Sequence, residues 1–214
     1  MLEDTPTRTW VPPEARRVGV VFQEHRLFGH MSVLDNVAFG PRSAGSRTAD
    51  ARRVAAHWIE LLGVAALSGR RPDELSGGEA QKVAIARSLA ADPAALLLDE
   101  PLAALDVTTR SDVRRVLREQ LDTFDGPRLL VTHVPSDAFL LADVLLVIEN
   151  GRITQRGTPD EIRSSPATPY VAALAGTNLY AGAAAAGSVL LTDHDHAFTI
   201  TDSAMTGPVL LTVH

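Results

Sequence analysis

The sequence has 214 residues, enough for one ordinary domain or for one domain with an appendage. Apolar residues make up 45% and charged residues 21%, which excludes the fibrous and low-complexity classes. The net charge is −6 and no tract is dense in Lys or Arg, so we expect no nucleic-acid partner. The absence of Cys removes disulfides, thiol nucleophiles and cysteine-ligated metals. The most apolar stretch, 139–148, is ten residues long and contains Asp143, whereas about 20 residues are needed to cross a bilayer.

Four short apolar runs predict the strands of a layered α/β fold, because amphipathic segments separate them. Their near-continuous apolar character is typical of parallel strands that are buried on both faces. The runs are Arg17–Gln23, Ala95–Asp99, Arg128–Thr132 and Val144–Glu149.

Helical periodicity appears between these runs. Val54, Trp58 and Leu61 lie on one face of a helix predicted over Thr48–Leu62, and similar spacing predicts a second helix over Val107–Asp122.

Turn and cap signals follow the last of the four runs. Asn150-Gly151 predicts a two-residue hairpin turn. Thr158, Pro159 and Glu161 then provide a helix N-cap, a first-turn proline and the glutamate of a capping box.

A change of composition predicts a domain boundary near Gly176. The 51 residues after Arg163 contain neither Lys nor Arg, while Ala, Thr, Gly and Val accumulate. We therefore predict one domain over residues 1–175 and a small β domain over residues 176–214.

Two segments of the second domain need an interpretation. Ala181–Ala186 is interpreted as a small-residue connector. The carboxylates and imidazoles of Asp193–His196 could ligate a transition metal, but a solvated β-turn is the favoured interpretation.

Ser76, Gly77 and Gly78 open a predicted helix that continues to Ala90. The free N–H groups of a helix start, with no side chains in the way, suit an approaching phosphate. A serine-capped helix after a flexible turn explains this segment alone equally well.

Asp99 and Glu100 end the apolar strand that begins at Ala95. The first carboxylate suits Mg²⁺, usually through water, and the second is placed to polarise a water that attacks phosphorus. The ordinary alternative is an acidic turn at the end of a strand. The helix start at Ser76, which suits a phosphate, lies shortly upstream and makes this alternative weaker.

His133 and Gln23 also follow predicted strands, at the sheet edge where α/β folds bind ligands. An imidazole there could contact a γ-phosphate and hold a water in line, and an amide could contact a metal or a water. A structural role is the alternative for each.

In this order and spacing, these residues resemble five motifs of the ATP-binding cassette (ABC) transporter ATPases. The matching segments are the Q-loop at Gln23, the signature motif at Leu75–Gln81, Walker B at Leu96–Pro101, the D-loop at Leu105-Asp106 and the H-loop at His133. The resemblance covers roughly residues 16–175.

The resemblance implies a fold. It is an α/β, partial P-loop ATPase with a largely parallel sheet and a helical subdomain at about residues 40–90. A small, incomplete β domain follows. The resemblance also implies a head-to-tail dimer with a second ABC ATPase subunit, each ATP lying between Walker A of one subunit and the signature motif of the other.

The resemblance further implies roles for the candidate residues. Glu100 is the expected general base, Asp99 the Mg²⁺ ligand, His133 the γ-phosphate contact and Gln23 the metal and coupling contact. The residues expected to contact nucleotide are Ser76, Gly77, Gly78, Gln81 and Asp106.

Two further stretches are similar to importer cassettes. The stretch from Gln23 to Gly40 resembles the one that forms part of the groove for the permease's coupling helix. The start of the second domain, from Gly176 to Tyr180, resembles that of the β-barrel of molybdate- and sulfate-type importer ATPases. The resemblance thus implies an ATP-hydrolysing importer subunit for molybdate or a similar oxyanion. It would use ATP and Mg²⁺ and be held by an integral-membrane permease at the cytoplasmic face of the membrane.

The sequence departs from the family at Walker A. The motif G-x-x-x-x-G-K-[ST] does not occur, and the only lysine, Lys82, lies in the signature helix. We therefore expect a chain that lacks the Walker A segment, stops inside the C-terminal barrel and binds ATP weakly by itself. The alternative is a non-hydrolysing partner module that supplies only the signature motif and the permease-binding surface. An ATPase assay on the isolated chain separates the two.

Overall fold

The computed structural model describes residues 3–4, 9–192, 197–200 and 204–213. The chain divides into two compact units at Leu141/Ala142, upstream of the position at which the sequence predicts its domain boundary. Each unit is described separately.

The first unit combines short strands with five helices. The strands are β1 (Glu3–Asp4), β2 (Thr9–Trp10), β3 (Val18–Val21), β4 (Ala95–Asp99) and β5 (Arg128–Val131). The helices are α1 (Val33–Ser43), α2 (Thr48–Leu61), α3 (Gly77–Ala90), α4 (Val107–Asp122) and α5 (Pro135–Leu141). Single 3₁₀ turns occur at Pro13–Ala15, Ala65–Leu67 and Pro72–Glu74.

Strands β3, β4 and β5 form a parallel sheet in that order. Val21 lies opposite Leu98, and Asp99 lies opposite Val131, so the carboxyl ends of the three strands meet at one edge. The prediction of an α/β fold with a parallel sheet is confirmed.

Burial of this sheet differs from the prediction. Leu96 and Leu98 are buried on the face that packs on the core, whereas Leu97, Leu129 and Val131 on the other face are 40%, 54% and 50% exposed. Because side chains alternate along a strand, the described strands bury one face, and the prediction that both faces are buried is wrong for them.

Helices α1, α2 and α3 pack closely because small residues line their contacts. Ala51 and Ala55 on α2 are fully buried, and the face predicted from Val54 packs beside them, partly buried. A Cβ at Gly40 of α1 would lie 2.6 Å from the Ala91 Cβ, so the two backbones approach where only glycine fits.

In its described residues, the second unit is built of antiparallel strands and two short helices. Its elements are β6 (Leu145–Glu149), β7 (Arg152–Gly157), α6 (Pro159–Ser164), α7 (Pro169–Ala175), β8 (Asn178–Ala185), β9 (Ser188–Leu191), β10 (Ala197–Thr199) and β11 (Gly207–Val213).

The hairpin prediction is confirmed, since β6 and β7 pair antiparallel around Asn150 and Gly151, whose φ angles are 50° and 74°. Two positive φ angles are what a type I′ turn requires. The run predicted over Val144–Glu149 thus forms an antiparallel hairpin strand in the part of the chain that the structure describes, and not a parallel strand. The capping box of Thr158 and Glu161 at the start of α6 is also confirmed.

The last four strands form one antiparallel sheet in the order β10-β9-β8-β11. The interpretation of Ala181–Ala186 as a connector is wrong, because most of it belongs to β8, which pairs with both β9 and β11. A Cβ at Gly182 would lie 2.7 Å from the Leu190 carbonyl oxygen, so close strand packing explains the small residues. The Asp193–His196 segment lies outside the described residues.

Candidate functional site

The candidate site lies at the carboxyl edge of the parallel sheet. Gln23 occupies an exposed turn just after β3, Asp99 is the last residue of β4, and His133 follows β5 by two residues. Because the three strands run in one direction, their ends present these side chains along the same edge.

Glu100 and His133 are in direct contact. The His133 Nδ1 lies 2.6 Å from Glu100 Oε1, and the His133 main-chain N–H donates to the same oxygen at 3.0 Å. The Glu100 side chain is only 14% exposed, whereas the His133 side chain is 74% exposed. The contact with the carboxylate occupies Nδ1 and leaves Nε2 as the ring atom for an external group.

The backbone at Glu100 explains this contact. Its N–H donates to the Val131 carbonyl at 3.0 Å, which extends the ladder between β4 and β5 by one residue. Its φ of 49° then lies in the left-handed region, an unfavourable conformation for a side-chain-bearing residue. The chain therefore turns sharply here and directs the carboxylate at the segment that follows β5.

Asp99 is exposed at the strand end, next to Glu100. Its carboxylate is an oxygen donor of the kind that Mg²⁺ prefers. Within the described ranges, no cluster of three or more His, Asp or Glu has the geometry to hold a metal ion.

The Ser76–Gly78 segment forms the capped start of α3. Ser76 Oγ accepts a hydrogen bond from the Glu79 N–H at 3.3 Å, and Glu79 Oε2 accepts one from the Ser76 N–H at 2.8 Å. The Ser76 N–H and the Ser76 hydroxyl both donate to the Glu79 carboxylate, and these two hydrogen bonds lower the pKa of Glu79 below its ordinary value. The N–H groups of a first helical turn have no acceptor within the helix, so they point out of its end.

Gly77 is not required by the fold. A Cβ placed on it would meet only the Ala104 Cβ, at 4.0 Å, which is ordinary contact. Gly78 is tighter, since its Cβ would lie 3.3 Å from the Ala104 carbonyl oxygen. The open space at Gly77 fits close approach by an external group.

Two of the predicted nucleotide contacts already have structural roles. Gln81 is 1% exposed, so its side chain does not share the exposed surface of Ser76 and Gly77. Asp106 caps α4, its Oδ1 accepting from the N–H groups of Thr108 and Thr109 at 3.1 Å each. The hydrogen bonds from Thr109 are the main reason that the pKa of Asp106 is lowered.

Several arginines that the motif search missed hold the loops around the site. On α3, Arg87 donates to the carbonyls of Arg26 and His25, at 2.8 and 3.0 Å. On α4, Arg110 donates to the carbonyls of Leu102, Ala103 and Leu105, at 3.1 to 3.3 Å. Only Arg110 has a signal in the sequence, since arginines recur every fourth residue from it; Arg87 has none.

His25 lies under Arg87, and its environment disfavours the charged ring. Burial lowers the pKa of His25, an effect that the neighbouring Gln81 side chain opposes in part. The Nε2 atoms of His25 and Gln81 are both buried without a hydrogen-bond partner.

The stretch predicted to contact a permease carries an aromatic cluster. The Phe28 and Phe39 rings are 4.6 Å apart, and Phe39 is 39% exposed. Asn36 is fully buried and accepts from the Phe28 N–H at 2.8 Å, which fixes the cluster to α1. The permease contact itself stays a prediction. No helix in the described ranges has the length and apolarity of a membrane span.

Comparisons with known proteins agree with this arrangement. The ABC transporter family model matches residues 2–103. Among solved structures, the dimeric ATP-binding cassette MJ0796, in a post-hydrolysis state bound to ADP and Pi, superposes with a TM-score of 0.62 at 27% sequence identity. The likeness covers 73% of this chain and 68% of that one. The fold is therefore the α/β ABC ATPase fold.

Relatives of higher identity are importer subunits. A sulfate/thiosulfate import ATP-binding protein of Caulobacter vibrioides is 42% identical over 82% of this chain and 53% of its own length. A spermidine/putrescine import ATP-binding protein of Acidothermus cellulolyticus is 44% identical over 79% of this chain and 44% of its own length. An Fe(3+) ions import ATP-binding protein of Agrobacterium fabrum is 43% identical over 77% of this chain and 46% of its own length.

The chain spans about half the length of these relatives. Over the matched stretches, its sequence is similar to the ATP-binding domains of ABC transporters.

Proposed function

We propose that the chain acts as an ATP-binding subunit of an ABC importer that couples ATP hydrolysis to solute uptake. The observation that carries the proposal is the capped start of α3. There Ser76 and Gly77 are exposed, the N–H groups of Gly77 and Gly78 have no acceptor within the helix, and no internal contact requires a glycine at position 77. In this proposal, the segment contacts the phosphates of an ATP that is bound by the Walker A loop of a second, head-to-tail cassette.

The groups at the edge of the sheet would serve the other composite site of the dimer, separate from the one that Ser76 contacts. Mg²⁺, held by Asp99, would neutralise phosphate charge. Glu100 would act as the general base toward a water, and Gln23 would contact the metal or that water. His133, oriented through Nδ1 by Glu100, would present Nε2 to a γ-phosphate oxygen, which requires a proton on that atom.

The transported solute is a separate question. The relatives are named for three different solutes: sulfate/thiosulfate, spermidine/putrescine and Fe(3+). Their sequence identities to this chain are similar, so identity over this domain does not indicate which solute is transported. Molybdate stays a prediction from the start of the second domain. The permease contact over residues 23–40 and the position at the cytoplasmic face of the membrane belong to the same proposal.

Nucleotide-dependent pairing tests the proposal. In sedimentation velocity with Mg-ATP and a complete importer cassette, the wild-type chain should form a heterodimer. Ser76→Arg should not, because it places bulk and positive charge where the γ-phosphate would lie.

The chain offers a matched control. Thr158 caps α6 with the same type of capping box but lies in the other compact unit, so Thr158→Arg should remove a cap and leave pairing intact. Equal pairing by wild type and Ser76→Arg would rule out the proposed role of the signature segment.

A further inference from the structure

The turn that follows Gln23 is held in an unfavourable conformation. His25 and Arg26 have φ angles of 60° and 47°, in the left-handed region that residues with side chains disfavour. This conformation persists only where surrounding contacts impose it. Such a turn needs an external restraint.

Burial adds a second cost at the same place. The Nε2 atoms of His25 and Gln81 lie at the contact between this turn and α3, both without a hydrogen-bond partner. Opening of the turn would expose both nitrogens to water and remove the penalty for leaving them unpaired.

Arg87 provides the restraint. Its two terminal nitrogens donate to the Arg26 and His25 carbonyls at 2.8 and 3.0 Å, a fork that spans the two left-handed residues. Its guanidinium also lies 5.2 Å from the centroid of the Phe28 ring. The far end of the segment is held from α1, where Asn36 accepts from the Phe28 N–H.

We propose that Arg87 is a positioning residue that ties the His25–Phe28 segment, and with it the turn bearing Gln23, to the helix that begins at Ser76. A displacement of α3 on nucleotide contact would then be transmitted directly to the turn. This role rests on the proposed function for its trigger, but the restraint itself belongs to the free chain.

Hydrogen exchange measured by mass spectrometry on the full chain tests the restraint. In Arg87→Gln, exchange of the His25–Phe28 amides should rise about tenfold or more, as expected for losing bonds to a charged donor, while the melting curve keeps its cooperative shape. Arg110→Gln is the matched control, since that arginine clamps the Leu102–Leu105 carbonyls from α4, and it should release that loop alone.

A second variant keeps the test decisive if Arg87→Gln does not fold. Lysine keeps the charge but cannot span two carbonyls as a planar fork, so Arg87→Lys should leave the segment at least severalfold less protected than wild type. Wild-type exchange in either variant would overturn the proposal.

The functional arm uses Mg-ATP with a complete importer cassette. Wild type should gain protection over residues 76–81 and over residues 25–28, whereas Arg87→Gln should gain it over residues 76–81 alone. Gained protection over residues 25–28 in Arg87→Gln would overturn the transmission role. If residues 76–81 gain none in wild type, the proposed function fails, and the restraint is still decided by the exchange of the free chain.

Discussion

At the scale of single residues, the ring of His25 makes the free energy of unfolding depend on pH. Burial lowers its pKa in the folded chain below the ordinary value of 6.5. Between the lowered pKa and 6.5, the unfolded chain therefore binds more protons than the folded chain. The free energy of unfolding should fall as the pH drops through about 6.5 and should be constant with respect to this group above that value.

Replacing His25 by Gln should remove this component. Urea denaturation from about pH 8 to about pH 5.5 should show a smaller acid-side loss of stability in His25→Gln than in wild type. His57→Gln serves as the control for replacing a histidine by glutamine, because His57 is exposed on α2. Parallel pH profiles for wild type and His25→Gln would contradict the assignment.

Sequence patterns located the carboxylates and the histidine but not the arginines. Asp99, Glu100 and His133 stand at the ends of apolar runs, so local pattern and strand direction suffice to bring them to one edge. Arg87 acts on carbonyls 61 and 62 residues earlier in the chain, and nothing in the sequence around it encodes that distance. Side chains that donate to main-chain carbonyls far away in the sequence are therefore hard to predict from sequence motifs.

At the scale of elements, an ion pair joins α4 to α5. Arg114 donates through Nε to Asp137 Oδ1 at 2.8 Å, and the Asp137 side chain is only 3% exposed. Since α5 begins two residues after His133, this pair also fixes the segment that carries the histidine. Breaking a buried pair from one side leaves a charge without compensation.

Arg114→Leu should therefore lower the free energy of unfolding by about 3 to 5 kcal/mol. The neighbouring Arg115 makes an exposed pair with Glu119, so Arg115→Leu should cost about 0.5 kcal/mol or less. Urea denaturation of both variants measures the difference. Equal losses in the two would show that the buried pair contributes no more than the exposed one.

Elements with local signals were predicted well, and elements defined by packing were not. The bounds of α4, the hairpin turn and the cap of α6 follow from side chains within a few residues of each other. Strand β8 is rich in Ala and Gly, two residue types with a low propensity for strands. Its small side chains admit β9 at close range, a tertiary requirement that no local pattern reveals.

At the scale of the whole molecule, an apolar run does not tell how many sheet faces are buried. The β4 run reads as continuously apolar, yet Leu96 and Leu98 are buried while Leu97 between them is 40% exposed. Burial depends on what packs on each face, which is a property of the assembled layers. The direction of the strands, by contrast, followed from the helices between them.

In the proposed function, this chain supplies a working signature segment to an ATP held by another cassette. The most direct test mixes it with a complete importer cassette whose own signature serine is replaced by arginine, so that the partner's homodimers lack that segment. Adding the wild-type chain should restore Mg-ATP hydrolysis, and so should Glu100→Gln, because the restored site uses the partner's own base. Ser76→Arg should restore none. Hydrolysis that is no faster with the wild-type chain than with Ser76→Arg would contradict the account.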